Sequence, residues 1–319
     1  MNRFTMFLDY VRPSKAVRER IELLVAENLQ GQHTHESWSR VRQWFDSQLS
    51  GRSLSPPSPL QGGCHDLLPV RARPVWENQV EIFPWLPRIT PELVSTIRSE
   101  FLALREGGGQ FQTYRNPKGS ARGALPDPEG FGELAHDKGT WSVAYLTLPS
   151  MSFDNSPKCP ATMSFLRSVP RLFDHALFSV LAPHSHIIPH CGPTNKKLRI
   201  HLPLVVPGGD TASCRLKVAD TEVPLKQGVP LVFDDSFVHE AWNDTPHARA
   251  VLLFDVWHPD LSEPEIEFLE LVQSAFEHHL QRQGMQDVAQ KMPSRILNPY
   301  GIILAAKERP APPAEVLWV

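Results

Sequence analysis

Two histidines about fifty residues apart carry the strongest chemical signal in this chain. The first opens the run His190-Cys191-Gly192-Pro193-Thr194-Asn195-Lys196-Lys197-Leu198-Arg199-Ile200, which leads into His201. The second lies in Asp234-Asp235-Ser236-Phe237-Val238-His239-Glu240-Ala241-Trp242. Neutral imidazole is a good ligand for iron, and this separation is usual for ligands that open and close a double-stranded β-helix. The common iron site of that kind adds a carboxylate two residues after the first histidine. Here that position is Gly192. An iron site on His190 and His239 therefore departs from the two-histidine, one-carboxylate pattern.

Two arginines extend the chemistry. Side chains alternate along a strand, so Leu198, Ile200, Leu202 and Leu204 face one way while Arg199 and His201 face the other. Ten residues after His239, Arg249 begins another alternating run, at the start of a strand and near the rim or interior of a barrel. A guanidinium inside a β core is costly without an anion, and its planar fork suits a carboxylate. Two arginines beside two neutral imidazoles fit a metal site with a dicarboxylate co-substrate, one carboxylate and its keto oxygen on the metal and the other held by arginine. Taken singly, each histidine is more often structural, each arginine more often a solvated strand residue, and Trp141 as often core as pocket. The joint pattern shifts that balance.

The elements that must position these residues are legible as short apolar runs. Val143 to Leu148, Leu177 to Leu181, Leu198 to Val206, Cys214 to Val218, Val229 to Phe233 and Ala250 to Trp257 are separated by Pro, Gly and Asp. They predict a mainly β core of sandwich or jelly-roll type. Helices flank it. Ser14 caps a helix with Val17, Ile21, Leu24 and Val25 on one face, and Trp38, Val41, Trp44 and Phe45 mark a second. Thr90-Pro91-Glu92 starts a third, running to about Glu106 before three glycines, and Ser262-Glu263-Pro264-Glu265 has the spacing of a capping box for a fourth. The Gly, Ser and Pro-rich stretch from Ser50 to Gly63 reads as a linker. The expected division is residues 1–63 as a helical region and linker, 64–283 as the β domain with its flanking helices, and 284–319 as an extension, with Ala306 to Pro313 a surface-running tail.

Composition narrows the partners. The chain has 319 residues, 41% of them hydrophobic and 21% charged, with a formal net charge of -3. That is one large core or one core plus a small accessory region, with no footprint for nucleic acid. Cys64, Cys159, Cys191 and Cys214 form no CxxC pair, which indicates neither a disulfide framework nor a structural zinc site. A reducing compartment fits. No apolar h-region or membrane span is evident, and the expectation is a cytosolic protein.

Four blocks in order now support a family resemblance: His190 to Asn195, Leu198-Arg199-Ile200-His201-Leu202, Phe233 to Trp242, and Asp255-Val256-Trp257-His258-Pro259. Together the run from about Trp141 to Asp260 resembles the aspartyl/asparaginyl β-hydroxylases, 2-oxoglutarate-dependent non-haem Fe(II) oxygenases with a double-stranded β-helix (jelly roll, cupin-like) fold. The resemblance implies that His190 and His239 hold Fe(II), with no carboxylate expected at Gly192. It implies that Arg249 and Ser179 hold the distal carboxylate of 2-oxoglutarate. Arg199, His201 and Trp141 are then implied around its metal-proximal end and the substrate. O2 is the second co-substrate, and succinate and CO2 are the coproducts. The family that it resembles includes enzymes acting on Asp or Asn side chains in protein domains and on lipid acyl chains; with no membrane span evident in the sequence, the expectation is hydroxylation of an unactivated C–H bond of an Asp-like substrate, a peptide or an amino-acid-derived small molecule. Ring closure or desaturation in place of hydroxylation is the enzymatic alternative, as is a cupin-type isomerase or hydrolase. A non-catalytic β-barrel interaction protein, docking partners on its N-terminal helices, is the alternative of a different class.

Overall fold

The computed structural model describes residues 19, 22–24, 26–27, 35–49, 57–61, 67–77, 79–116, 133–148, 151–192, 194–208, 212–282, 296–297 and 303–304. Of the first expected helix, Leu24 is described and helical, while Val17, Ile21 and Val25 lie outside the described residues, as does the tail from Ala306 to Pro313.

After the helical residues around Leu24 and a 3-10 turn at His35–Trp38 come helix α1 (Ser39–Leu49), a one-turn helix α2 (Gln79–Ile82) and the long helix α3 (Pro91–Glu106). Strands β1 (Gln112–Thr113), β2 (Arg115–Asn116), β3 (Glu133–Leu134), β4 (His136–Lys138), β5 (Trp141–Leu148) and β6 (Met151–Ser152) follow, then helix α4 (Pro160–Ser168). The remaining strands are β7 (Leu172–Leu181), β8 (Ser185–His190), β9 (Lys197–Val205), β10 (Cys214–Val218), β11 (Thr221–Pro224), β12 (Leu231–Phe233), β13 (His239–Asn243) and β14 (Arg249–Trp257). Helix α5 (Glu263–Arg282) follows β14. All six expected strands and the helix at Thr90 are present.

Two antiparallel sheets face each other as a double-stranded β-helix. One has the order β1-β5-β7-β14-β9-β12, with β6 on β5; the other has the order β11-β10-β13-β8-β4. Period-two alternation splits the residues of the large sheet between two cores. Its outward set, including Leu198, Ile200, Leu202, Leu252 and Phe254, packs with Ile97, Phe101 and Phe165 of α3 and α4. Its inward set, including Trp141, Val143, Leu177, Leu181, Val251 and Leu253, packs with Ile187, Leu216 and Ala241 of the small sheet. Arg199 and His201 pair in register with Asp255 and Leu253 and so face inward, as the alternation predicts.

Helix ends follow their capping chemistry. Thr90 accepts a hydrogen bond from the Leu93 amide, with Pro91 at the first helical position of α3. Ser262 and Glu265 form the reciprocal box at α5, the Ser262 amide donating to Glu265 Oε2 at 2.8 Å. Helix α4 borrows its cap, because Glu100 on α3 accepts from the amides of Ala161 and Thr162 at 2.7 and 2.8 Å. A third core joins Trp38, Val41, Trp44 and Phe45 to Phe173, Trp257, Ile266 and Phe268, fastening the N-terminal helix to α5. Arg40 strengthens that junction with a two-pronged contact to Glu265. No helix among the described residues is long and apolar enough to cross a membrane.

Candidate metal and anion site

His190 ends β8 and His239 begins β13, and the two are direct antiparallel partners. The register slips between His239 and Ala241, so two steps on β13 match three on β8, from Ile187 to His190. A bulge of this kind re-aims a side chain. It puts His190 on the inward face beside His239 although simple alternation from Ile187 points it outward. The two imidazole centroids are 4.1 Å apart.

Both rings have the same arrangement of nitrogens. His190 Nδ1 lies 2.8 Å from the Ile188 carbonyl oxygen and His239 Nδ1 lies 2.9 Å from that of Phe237. A carbonyl only accepts, so each Nδ1 carries the proton and each Nε2 keeps its lone pair. Burial depresses both pKa values, with the neighbouring histidine adding to the effect on His239. Neutral imidazoles with backbone-fixed tautomers are what a metal ion requires of histidine.

Gly192 has no room for a ligand. A Cβ there would stand 2.5 Å from the Asp235 carboxyl carbon and 2.5 and 2.7 Å from its oxygens, while the Gly192 amide donates to the Asp235 carbonyl at 2.6 Å. Asp235 is itself engaged, by Lys197 Nζ at 2.9 and 3.0 Å and by Arg199 Nη1 at 3.0 Å. No group of three or more His, Cys, Asp or Glu that could hold a metal occurs among the described residues. The candidate donors brought together here are the two histidines.

Farther along the inward face lies a buried guanidinium without a partner. Arg249, the first residue of β14, is 1% exposed, and Nε, Nη1 and Nη2 all lack a hydrogen-bond partner. Both ring nitrogens of His201 are also unpartnered. Burial lowers Arg249 to about 10, leaving it a cation at neutral pH, and burial with Arg249 and Arg199 nearby holds His201 well below its ordinary range. A buried cation with no partner is expensive, so this arrangement calls for an anion. Ser179 and Trp141 are its neighbours on the same face. Trp141 pairs with Leu181, which pairs with Arg249, and Ser179 pairs with Val251. The Trp141 indole donates to Ser179 Oγ at 3.0 Å, which leaves the serine proton to point elsewhere.

Arg199 is placed differently from Arg249. Its Nε and Nη2 lie 2.9 and 3.0 Å from Asp255, and its Nη1 faces Asp235. Lys197 joins the same group, 2.8 Å from Asp255, and His175 Nδ1 is 2.6 Å from Asp255. Burial raises the Asp255 pKa, but Arg199 and Lys197 outweigh it and hold the carboxyl well below its ordinary value. Buried Lys197, Asp235 and Asp255 and the half-buried Arg199 therefore form one ion-paired group beside the histidines. Asp235, Asp255, His175 and the Tyr114 ring, stacked on Trp141 at 3.8 Å, received no site role from the sequence. The signal for Asp255 was available: it alternates with Val251 and Leu253 and so must share the inward face with Arg199.

A sequence model of the family described as Aspartyl/Asparaginyl beta-hydroxylase matches residues 92–259, more than half the chain and all seven of the site residues expected from sequence. The chain belongs to that family. Human aspartyl/asparaginyl beta-hydroxylase is 33% identical over 185 residues, which cover 56% of this chain and 23% of the relative. Human aspartate beta-hydroxylase domain-containing protein 2 is 33% identical over 154 residues, 46% of this chain and 41% of the relative. An ornithine lipid ester-linked acyl 2-hydroxylase of Rhizobium tropici is 37% identical over 108 residues, 34% of this chain and 38% of the relative. The chain thus spans less than half the length of each of these family members.

Proposed function

We propose that this chain is an Fe(II)- and 2-oxoglutarate-dependent oxygenase that hydroxylates an unactivated C–H bond of an Asp-like substrate, peptidyl or amino-acid-derived. The observation that carries the reading is the unpartnered, fully buried Arg249 on the same inward surface as two imidazoles with free Nε2 atoms. His190 and His239 would hold Fe(II), which when bound supplies the O2 chemistry that converts 2-oxoglutarate to succinate and CO2 while one oxygen atom enters the substrate.

The chain's own residues do the rest. Arg249 binds the distal carboxylate of the co-substrate, and Ser179 donates the proton that Trp141 leaves free. His201, neutral and with both nitrogens available, serves the metal-proximal end. Lys197 and Arg199, each held by Asp235 and Asp255, keep the wall beside the histidines electrically balanced. Two relatives are named for different substrates, aspartyl or asparaginyl residues in one and an ester-linked acyl chain in the other. Substrate choice in this chain is assigned to the Asp-like class on the strength of the family description and of the relative named for aspartyl and asparaginyl residues.

The test is anaerobic addition of Fe(II) and 2-oxoglutarate to the intact protein. A weak visible metal-to-ligand charge-transfer band is expected, and it should disappear in Arg249→Ala. Substrate-dependent succinate release in air, followed by product mass, then identifies the reaction: a gain of one oxygen for hydroxylation, a loss of two hydrogens for cyclisation or desaturation. No band with wild-type protein, or an undiminished band in Arg249→Ala, contradicts the assignment.

A further inference from the structure

We propose that residues 57–61 and 67–77, which lie outside the residues matched by the family, form a strap that positions both histidine-bearing loops, with Gln61 and Asn195 as its two pins. The inference rests on the two-histidine metal reading above.

Consider first the loop before His239. Gln61 is 2% exposed, although it belongs to the stretch whose composition reads as a linker. Its Nε2 donates to Ser236 Oγ at 2.9 Å and reaches Asp234 Oδ2 at 3.4 Å. Its own conformation is fixed by a turn, the Gln61 amide donating to the Ser58 carbonyl and the Ser58 amide donating to Gln61 Oε1, both at 3.1 Å. Ser236 passes the constraint on, because its amide and hydroxyl both donate to Asp234 Oδ1. The next residue, Phe237, supplies the carbonyl that fixes His239 Nδ1. A glutamine about 180 residues away in sequence is thus two short links from the metal-ligand tautomer.

The loop after His190 has the second pin. Asn195 is fully buried, accepting from the Leu68 amide at 2.7 Å and donating to the Leu68 carbonyl at 2.8 Å, so that a side-chain amide imitates a β-bridge. Beside it, Lys196 Nζ lies 3.5 Å from the Trp44 ring centroid, a contact that ties the same loop to α1. Past the second pin, at Pro74 to Trp76, the strap extends the edge of the large sheet. The Trp76 amide donates to the Val232 carbonyl at 3.0 Å, and the Asp234 amide donates to the Pro74 carbonyl at 3.1 Å. Because the Gly192 amide also donates to Asp235, the two loops are joined to each other as well as to the strap. Bulged and irregular backbone does not hold ligands rigidly by itself, and outer hydrogen bonds that orient metal ligands are commonly worth ten- to a hundredfold in affinity.

The experiment uses the full chain in four forms: wild type, Gln61→Met, Asn195→Leu and Asn195→Asp. Gln61→Met and Asn195→Leu keep bulk and remove hydrogen bonds, whereas Asn195→Asp retains the acceptor for the Leu68 amide. Metal-free protein is read by hydrogen exchange over residues 190–196 and 233–239, and metal binding is read by Co(II) titration of the visible d–d spectrum. The expected result is faster exchange confined to those two stretches in Gln61→Met and Asn195→Leu. Co(II) affinity should fall about ten- to a hundredfold in both, and Asn195→Asp, whose carboxylate faces the Leu68 carbonyl with no proton to donate, should do no better than Asn195→Leu. Unchanged exchange in the two stretches, or exchange that rises equally in β10 and β14, overturns the strap. Wild-type Co(II) affinity retained in Gln61→Met and Asn195→Leu also overturns it. Absence of Co(II) binding in wild type counts against the two-histidine reading itself, and the exchange data still decide whether the strap holds the loops.

Discussion

The carboxylate of Asp235 occupies the space that a side chain at position 192 would need, with its carbon 2.5 Å from where a Cβ would stand. Asp235 has no freedom to retreat, since Lys197 and Arg199 hold it. Gly192→Ala should therefore destabilise the protein by about 1–3 kcal/mol, the usual cost of overpacking, measured by denaturant unfolding. Gly192→Asp should bind Co(II) no more tightly than wild type, because the new carboxylate meets an existing one before it meets a metal. Tighter binding in Gly192→Asp would show that the pocket has room for a third ligand.

Arg249 is a buried cation with no partner, so removing it should help the empty protein and harm the liganded one. Arg249→Met is expected to raise the stability of the ligand-free protein by about 1–4 kcal/mol, as replacing buried charge by apolar bulk often does. Wild type should gain about 2.7 kcal/mol at 2-oxoglutarate a hundredfold above its Kd, and the variant should gain nothing. Thermal unfolding with and without 2-oxoglutarate measures both. A less stable empty variant that still responds to 2-oxoglutarate would place the anion elsewhere.

The Lys197, Arg199, Asp235 and Asp255 group should govern acid stability. Asp255 sits well below its ordinary pKa of 3.8, because Arg199 and Lys197 outweigh the effect of burial. A carboxyl depressed in the folded state contributes stability that is complete above about pH 4 and is lost as pH falls below that value. Asp255→Asn should cost about 3–5 kcal/mol at neutral pH, leaving the buried Lys197 and the half-buried Arg199 to share one carboxylate. It should also flatten the fall in stability below pH 4. Urea unfolding across that range measures both effects, and an Asp255→Asn curve parallel to wild type would disprove the role.

The parts of this architecture that were legible in sequence are those whose signal is local. The run from Leu198 to Leu204 alternates cleanly, and Ser262 and Glu265 form their box within one turn. Strand β8 was missed because Ser185-His186-Ile187-Ile188-Pro189-His190 lacks alternation and carries a proline. Its useful property, a bulge that turns His190 inward, exists only against β13. Helix α4 was missed for a related reason: its cap is Glu100, some 60 residues earlier and on another helix. Gln61 sits in a stretch rich in Ser and Pro and looks like spacer until the chain folds it onto Ser236. In the candidate site, residue type and spacing singled out the two histidines and Arg249, which the fold brings to one inward surface. The use of Asp235 to fill the space at Gly192 depends on contact between distant segments.

Asp234 should act on stability in the opposite sense to Asp255. Burial raises its carboxyl to about 7 against an ordinary 3.8, a shift that the Ser236 hydrogen bonds and Lys197 reduce and Asp235 reinforces. A carboxyl whose folded pKa is raised binds its proton more tightly when folded, so its contribution is complete below about pH 4 and is lost as pH rises through about 7. The loss has an upper limit of roughly 4 kcal/mol, since each pKa unit corresponds to about 1.4 kcal/mol. Asp234→Asn cannot ionise and should show no such loss. The difference in unfolding free energy, wild type minus Asp234→Asn, should therefore decline between pH 4 and 7 and level off above. A flat or rising difference over that interval would mean that Asp234 ionises freely, and that its contacts with Ser236 and Gln61 compensate the burial in full.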